Sequence, residues 1–169
     1  MIIRDAKPSD AAALAEIYRP YVENTAITFE YVAPGAEEFE ARLARVTAHY
    51  PWLVLEQAGE ILGYAFADRA FEKAAYAWCA DMTVYLAPQA TGRGLGRLLY
   101  AALENRLRAR GIQILYALVT ASNVPSLLFH DAMGYREIGR LPESGWKLGA
   151  WQSVIWMEKR LAKENPTVP

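Results

Sequence analysis

Between Thr83 and Arg110 the chain runs Thr83-Val84-Tyr85-Leu86-Ala87-Pro88, then Gly92-Arg93-Gly94-Leu95-Gly96, then a long amphipathic stretch from Arg97. An alternating apolar segment stops at a proline, a glycine-dense turn follows, and a helix begins inside the glycines. That order aims several backbone N–H groups and the positive end of a helix dipole at one point, which suits a phosphate. The chemistry implied is the binding of a phosphorylated cofactor, and three versions of such a turn compete. A P-loop puts Lys-Ser or Lys-Thr after its last glycine, whereas Arg97-Leu98 stand here, which weakens nucleotide hydrolysis. A dinucleotide fingerprint asks for Gly-x-Gly-x-x-Gly near the first strand. Here Gly94-Leu95-Gly96 is followed by Tyr100-Ala101-Ala102, in mid-chain. The third version is the pyrophosphate loop of a coenzyme A enzyme.

The elements that must carry this turn can be read from periodicity. Ile2-Ile3-Arg4 forms a first strand, and Pro8-Ser9-Asp10 opens a helix with Leu14, Ile17, Tyr18 and Tyr21 on one buried face. A second helix spans Ala36 to about Ala48, with Phe39, Leu43 and Val46 inward. Trp52 to Gln57 and Ile61 to Phe66 flank Ala58-Gly59 as a β-hairpin, and a third strand covers roughly Tyr76 to Leu86. The helix after the glycines turns Leu95, Leu98, Leu99, Ala102, Leu103 and Leu107 inward and ends at Gly111. Ile114 to Val119 is a strongly apolar, central strand. A short helix starts at Asn123-Val124-Pro125-Ser126 and stops at Gly134, and Tyr135 to Leu141 and Gln152 to Lys159 complete a mixed sheet. The expected fold class is α/β (α+β), with helices on both faces of the sheet. One domain covers residues 1–163, and a short polar tail covers 164–169.

Composition narrows the functions. A hydrophobic fraction of 53% with 22% charged residues describes a globular chain, and a net charge of −1 offers no broad basic face for nucleic acid or an anionic membrane. No apolar run reaches the ~18 residues of a membrane span, and the N-terminus lacks a secretory pattern. One cysteine excludes an internal disulfide and a cysteine metal site, and two histidines far apart give a metal little support. Cys79, beside Trp78, reads as a small buried hydrophobe rather than a nucleophile, and His49 as a surface residue. A cytoplasmic location is expected.

The pieces resemble, in order and spacing, the GCN5-related N-acetyltransferases, and within them the phosphinothricin and methionine sulfoximine acetyltransferases. The matching residues are Tyr50-Pro51-Trp52-Leu53-Val54, Gly59-Glu60-x-x-Gly63-Tyr64-Ala65, Thr83-Val84-Tyr85-Leu86-x-Pro88 and Gly94-Leu95-Gly96. Asn123-Val124-Pro125-Ser126, His130, Gly134-Tyr135 and Trp146-Lys147-x-Gly149-x-Trp151 follow. The likeness runs from about residue 2 to residue 160.

The resemblance implies a GNAT fold with a splayed parallel strand pair, and acetyl-CoA as co-substrate in the gap between them. Val84, Tyr85 and Leu86 would pair with the pantetheine arm, and Gly92, Arg93, Gly94, Leu95, Gly96 and Arg97 would hold the pyrophosphate. Asn123 and Ser126 would bind the pantetheine. Thr91 stands three residues before Gly94, where the superfamily usually has Gln or Arg. The resemblance makes Asp81 the base, in place of the family's longer glutamate, so a bridging water gains weight over direct contact; a hydrogen-bonded strand-end carboxylate is the plainer alternative. No other carboxylate is expected to share its position: Asp68 and Glu72 are read on the far side of a loop, and Asp131 one turn into a helix. His130 would protonate the departing thiolate, or else simply pack at a helix end.

Phe29, Lys73 and Tyr76 would bind a small amino-acid-like amine. The phosphinothricin pattern has basic residues where this chain has Phe71 and Glu30, a loss of positive charge. Trp146, Lys147 and Trp151 would close the pocket, build a homodimer contact or lie in the core; relatives are homodimers. The remaining readings are acetylation of another small amine or a protein N-terminus, and a non-catalytic acyl-CoA sensor.

Overall fold

The structure is a computed structural model that describes residues 1–162 and 165. The expected tail over 164–169 lies, apart from Asn165, outside the described residues. Strands β1 (Ile2–Asp5), β2 (Trp52–Gln57), β3 (Glu60–Arg69), β4 (Cys79–Leu86), β5 (Ile114–Thr120), β6 (Arg136–Lys147) and β7 (Ala150–Arg160) form one sheet, ordered β1-β2-β3-β4-β5-β7-β6. Every pairing is antiparallel except β4 with β5. Helices α1 (Ala11–Asn24), α2 (Ala36–Thr47), α3 (Leu95–Ala109) and α4 (Val124–Ala132) complete the fold.

Both faces of the sheet are covered. On one, Tyr18 of α1 and Phe39 of α2 pack edge-on against Tyr85 and Tyr64, and Trp52 stacks on Phe66. The opposite face of β2 and β3 carries Leu53, Leu55, Ala65 and Ala67, all buried, and α3 lies across these strands. Leu99, Leu103 and Leu107 of α3 are fully buried, each worth about 1.5–3 kcal/mol of apolar transfer.

Three expectations change. The segment before β4 is a short 3-10 turn over Ala74–Tyr76, so the strand begins at Cys79 rather than near Tyr76. Leu98 is 44% exposed because it flanks the Leu95-Leu99-Leu103 stripe rather than joining it. The sixth strand runs on past Leu141 to Lys147: Pro142 and Ser144-Gly145, which look like breakers, sit in an irregularity of an edge strand, where a missing N–H costs no ladder bond.

Among the described residues no helix is long and apolar enough to cross a membrane, and no group of three His, Cys, Asp or Glu is placed to hold a metal ion.

Candidate active site

Strands β4 and β5 pair only from Cys79 to Asp81 against Ile114 to Tyr116. Beyond Asp81 they part, and the edges that face each other are unpaired. The Ala87 amide donates to the Leu62 carbonyl, with Leu86 opposite Gly63. In an antiparallel ladder this parity sends the backbone groups of Asp81, Thr83 and Tyr85 to β3 and those of Met82, Val84 and Leu86 to the open side. Val84 and Leu86 therefore present backbone to the gap, while Tyr85 contributes its side chain. The Leu86 carbonyl is taken by the Tyr21 hydroxyl at 2.6 Å, so its amide is the group left to offer.

A narrow cleft of about 90 Å³ opens there, lined by Thr83, Val84, Tyr85, Tyr100 and the stretch Ala117 to Thr120, with Asn123, Ser126 and His130 beneath. Val84, Tyr85, Asn123 and Ser126, four of the cofactor residues expected from the sequence, thus meet in one place. A wider hollow of about 590 Å³ lies elsewhere, by the Pro8–Asp10 turn and Gln89. Two of its charged walls satisfy each other, Arg4 holding Asp10 at 2.7 Å.

At the glycine turn Gly92 and Gly94 have φ of +72° and +75°, and a Cβ on either would meet nothing within 4 Å. Gly94 is the N-cap of α3, so the amides of Leu95 and Gly96 fall in the first turn, where a helix supplies them no carbonyl. Arg93 and Arg97 are exposed beside them.

Asn123 caps α4, its Oδ1 accepting from the Ser126 amide at 3.3 Å, which leaves its side-chain N–H groups to donate. One turn on, His130 is 3% exposed. Its Nδ1 lies 2.8 Å from the Ser126 carbonyl. A carbonyl only accepts, so Nδ1 carries the proton, and Nε2 accepts from the Tyr100 hydroxyl at 3.0 Å. Burial holds the imidazole's pKa below its usual value, so the ring is neutral. The hydroxyl of Tyr100, which the sequence reading passed over, carries the one proton of this pair that can be redirected, since it is held only by His130 Nε2.

Asp81 sits at the point of the splay. Its Oδ1 is buried and has no hydrogen-bond partner. Burial raises its pKa to about 7, against a bond from the Met82 amide and with added repulsion from Asp68. Asp68 is not on the far side of a loop, as expected, but directly opposite Asp81 in the β3–β4 register. Arg45 holds its carboxylate at 2.9 Å. Cys79 is buried, and burial raises its thiol pKa, which disfavours a thiolate nucleophile.

The acceptor-side residues come from three segments. Phe29 packs against Gly145 in the β6–β7 hairpin, so closely that a Cβ there would overlap its ring. Lys73 and Tyr76 are exposed on the segment between β3 and β4, with Tyr76 against Phe71 at 4.5 Å. Glu30 is held by Arg42 through two bonds of 2.7 and 3.0 Å. The pair lines a hollow of about 170 Å³ that shares Thr83 and Tyr85 with the cleft. Trp146 and Trp151 are 49% and 58% exposed, which rules out the core reading. Lys147 between them is buried, and its Nζ donates to the Thr28 carbonyl at 2.7 Å.

A sheet that splays at a parallel pair, above a glycine-capped helix, defines an acyl-CoA-type transferase. The domain model described as "Acetyltransferase (GNAT) domain" matches residues 3–161, and the chain belongs to that family. Among curated relatives, the phosphinothricin N-acetyltransferase of Alcaligenes faecalis is 36% identical over 99% of this chain and 86% of its own length. The L-methionine sulfoximine/L-methionine sulfone acetyltransferase of Pseudomonas paraeruginosa is 33% identical over 94% of each. A phosphinothricin acetyltransferase from Sinorhizobium meliloti, solved with acetyl-CoA, superposes with a TM-score of 0.93 at 31% identity, covering 98% of this chain and 92% of its own.

Proposed function

We propose that this chain transfers the acetyl group of acetyl-CoA to the primary amine of a small amino-acid-like acceptor, of the phosphinothricin or methionine sulfoximine type, by direct attack in a ternary complex. The observation that carries this reading is the buried Asp81 carboxylate, its Oδ1 without a partner, at the point where β4 and β5 part. Acetyl-CoA supplies a thioester carbonyl that a neutral amine can attack. The amides from Gly92 to Gly96, with Arg93 and Arg97, bind its pyrophosphate. Val84 and Leu86 extend the sheet to the pantetheine arm, with Asn123 and Ser126 as its side-chain partners. Asp81 takes the proton from the attacking amine, directly or through one water. The Tyr100 hydroxyl, whose one proton rests on His130 Nε2, turns from the imidazole to donate it toward the leaving sulfur. Phe29, Lys73 and Tyr76 border the acceptor.

Thiol release tests the reading. Free thiol appears from acetyl-CoA only when a suitable amine is added. Gly94→Val, which forces a β-branched residue into the left-handed region, raises KM for acetyl-CoA about tenfold or more with little change in kcat. Thiol release from no amine, by a protein that still binds acetyl-CoA, would sink the reading.

A second copy of the chain is the proposed macromolecular partner, docking on the hairpin where Trp146, Leu148 and Trp151 are exposed beside Tyr31. Light scattering reports a dimer for the native chain and a monomer for a Trp146→Glu, Trp151→Glu double variant.

A further inference from the structure

The ring of Phe71 touches Tyr76 at 4.5 Å, Tyr116 at 5.6 Å and Trp156 at 5.8 Å. Phe71 follows β3, whereas Tyr116 and Trp156 belong to β5 and β7, on the other side of β4. The side chain therefore crosses over β4. It does so at the height of Asp81, because Asp81 is the residue in register with Tyr116. Leu118, two residues along the same face of β5 and in register with Trp156, is 52% exposed. At the height of Asp81, β4 is thus bordered by an aromatic layer of Phe71, Tyr116 and Trp156, with the exposed Leu118 at its margin. Two buried polar atoms on these elements have no partner: Oδ1 of Asp81 and Nε1 of Trp156.

The cations around this recess are nearly all occupied. Arg42 is held by Glu30 and Glu38, Arg45 by Asp68, and Arg69 by Glu72. Lys147 is bound to the Thr28 carbonyl. Among the described residues, Lys73 at the rim is the one cation of this group without such a partner. One cation serves one carboxylate. An acceptor with a second anionic group would press it against aromatic carbon, where an unpaired charge is costly.

Resting on the amine acetylation proposed above, we infer that the acceptor is an α-amino acid whose side chain is uncharged and lies against aromatic carbon. Phe71 is the residue that sets this preference, forming the wall on which that side chain lies. The α-carboxylate goes to Lys73 and the amine to Asp81. Of the two acceptor types proposed above this keeps the uncharged methionine sulfoximine and disfavours phosphinothricin, whose side chain is anionic like that of glutamate.

The test compares kcat/KM for L-phenylalanine and L-methionine with that for L-glutamate and phosphinothricin, by thiol release. The native chain favours the apolar pair at least tenfold. Phe71→Lys reverses the order, and Phe71→Leu keeps it; melting curves confirm that both variants fold. A binding arm needs no turnover: calorimetric titration of N-acetyl-L-phenylalanine into the coenzyme A complex weakens at least tenfold in Phe71→Lys and little in Phe71→Leu. Preference of the native chain for the anionic acceptors, or a ratio and a titration that Phe71→Lys leaves unmoved, overturns the assignment of Phe71. If instead no amine is acetylated while the titration behaves as described, the recess stands and the transferase reading falls.

Discussion

Replacing Asp81 with asparagine lowers kcat by about 10²- to 10⁴-fold, the usual contribution of a positioned general base, and leaves acetyl-CoA affinity within a few-fold. The variant keeps the shape of the site and loses the proton acceptor. The native chain adds a pH signature. Because burial places the Asp81 pKa at about 7, the fraction of ionised base grows as pH rises through neutrality, and kcat climbs with it before levelling. In Asp81→Asn that limb is absent, and the residual rate follows only the deprotonation of the amine. A structural carboxylate would give a different result: the asparagine variant would retain most of its turnover and the same pH limb. Steady-state thiol release between pH 5.5 and 9, with saturating acetyl-CoA, separates the two.

How far this site can be read without coordinates follows from which of its features are local. The glycine turn is local: Gly92 and Gly94 are needed for positive φ, and their spacing from the Leu95-Leu99-Leu103 stripe announces a helix starting inside them. The Asn123 cap and the end of β4 near Pro88 are local in the same sense. Asp81 becomes legible once those neighbours are recognised, because its place is fixed by counting along one strand. What surrounds it is not local. Asp68 comes to face Asp81 only through antiparallel register across a nine-residue segment, Ala70 to Trp78, that sequence reads as a loop separating them. Phe71 reaches Trp156 only because β5 and β7 lie beyond β4 in the sheet. The loss of positive charge at Glu30 is visible in sequence, but its neutralisation by Arg42 depends on how α2 packs beside the 25–35 loop. The tautomer of His130 is likewise set by the Ser126 carbonyl one turn back, a bond that names no residue type.

The same carboxylate governs the pH dependence of stability, with the opposite consequence. A carboxyl group whose pKa rises from 3.8 to about 7 on folding binds its proton more tightly in the native state than in the unfolded chain. Below pH 4 both states are protonated and Asp81 costs nothing. Between pH 4 and 7 the unfolded chain ionises while the native state does not, so stability falls as pH rises; above pH 7 both are ionised and the loss is complete, at up to about 4 kcal/mol. Asparagine carries no proton to lose. Urea unfolding of Asp81→Asn therefore matches the native chain near pH 4 and exceeds it increasingly toward pH 8, by several kcal/mol with an unchanged m value. If the difference between the two proteins were the same at both pH values, the burial of an ionisable Asp81 would be refuted. A gain that grows with pH, in the variant that has lost turnover, means that the splay point holds its base at the expense of the fold, a strain that an inert strand-end carboxylate would have no reason to keep.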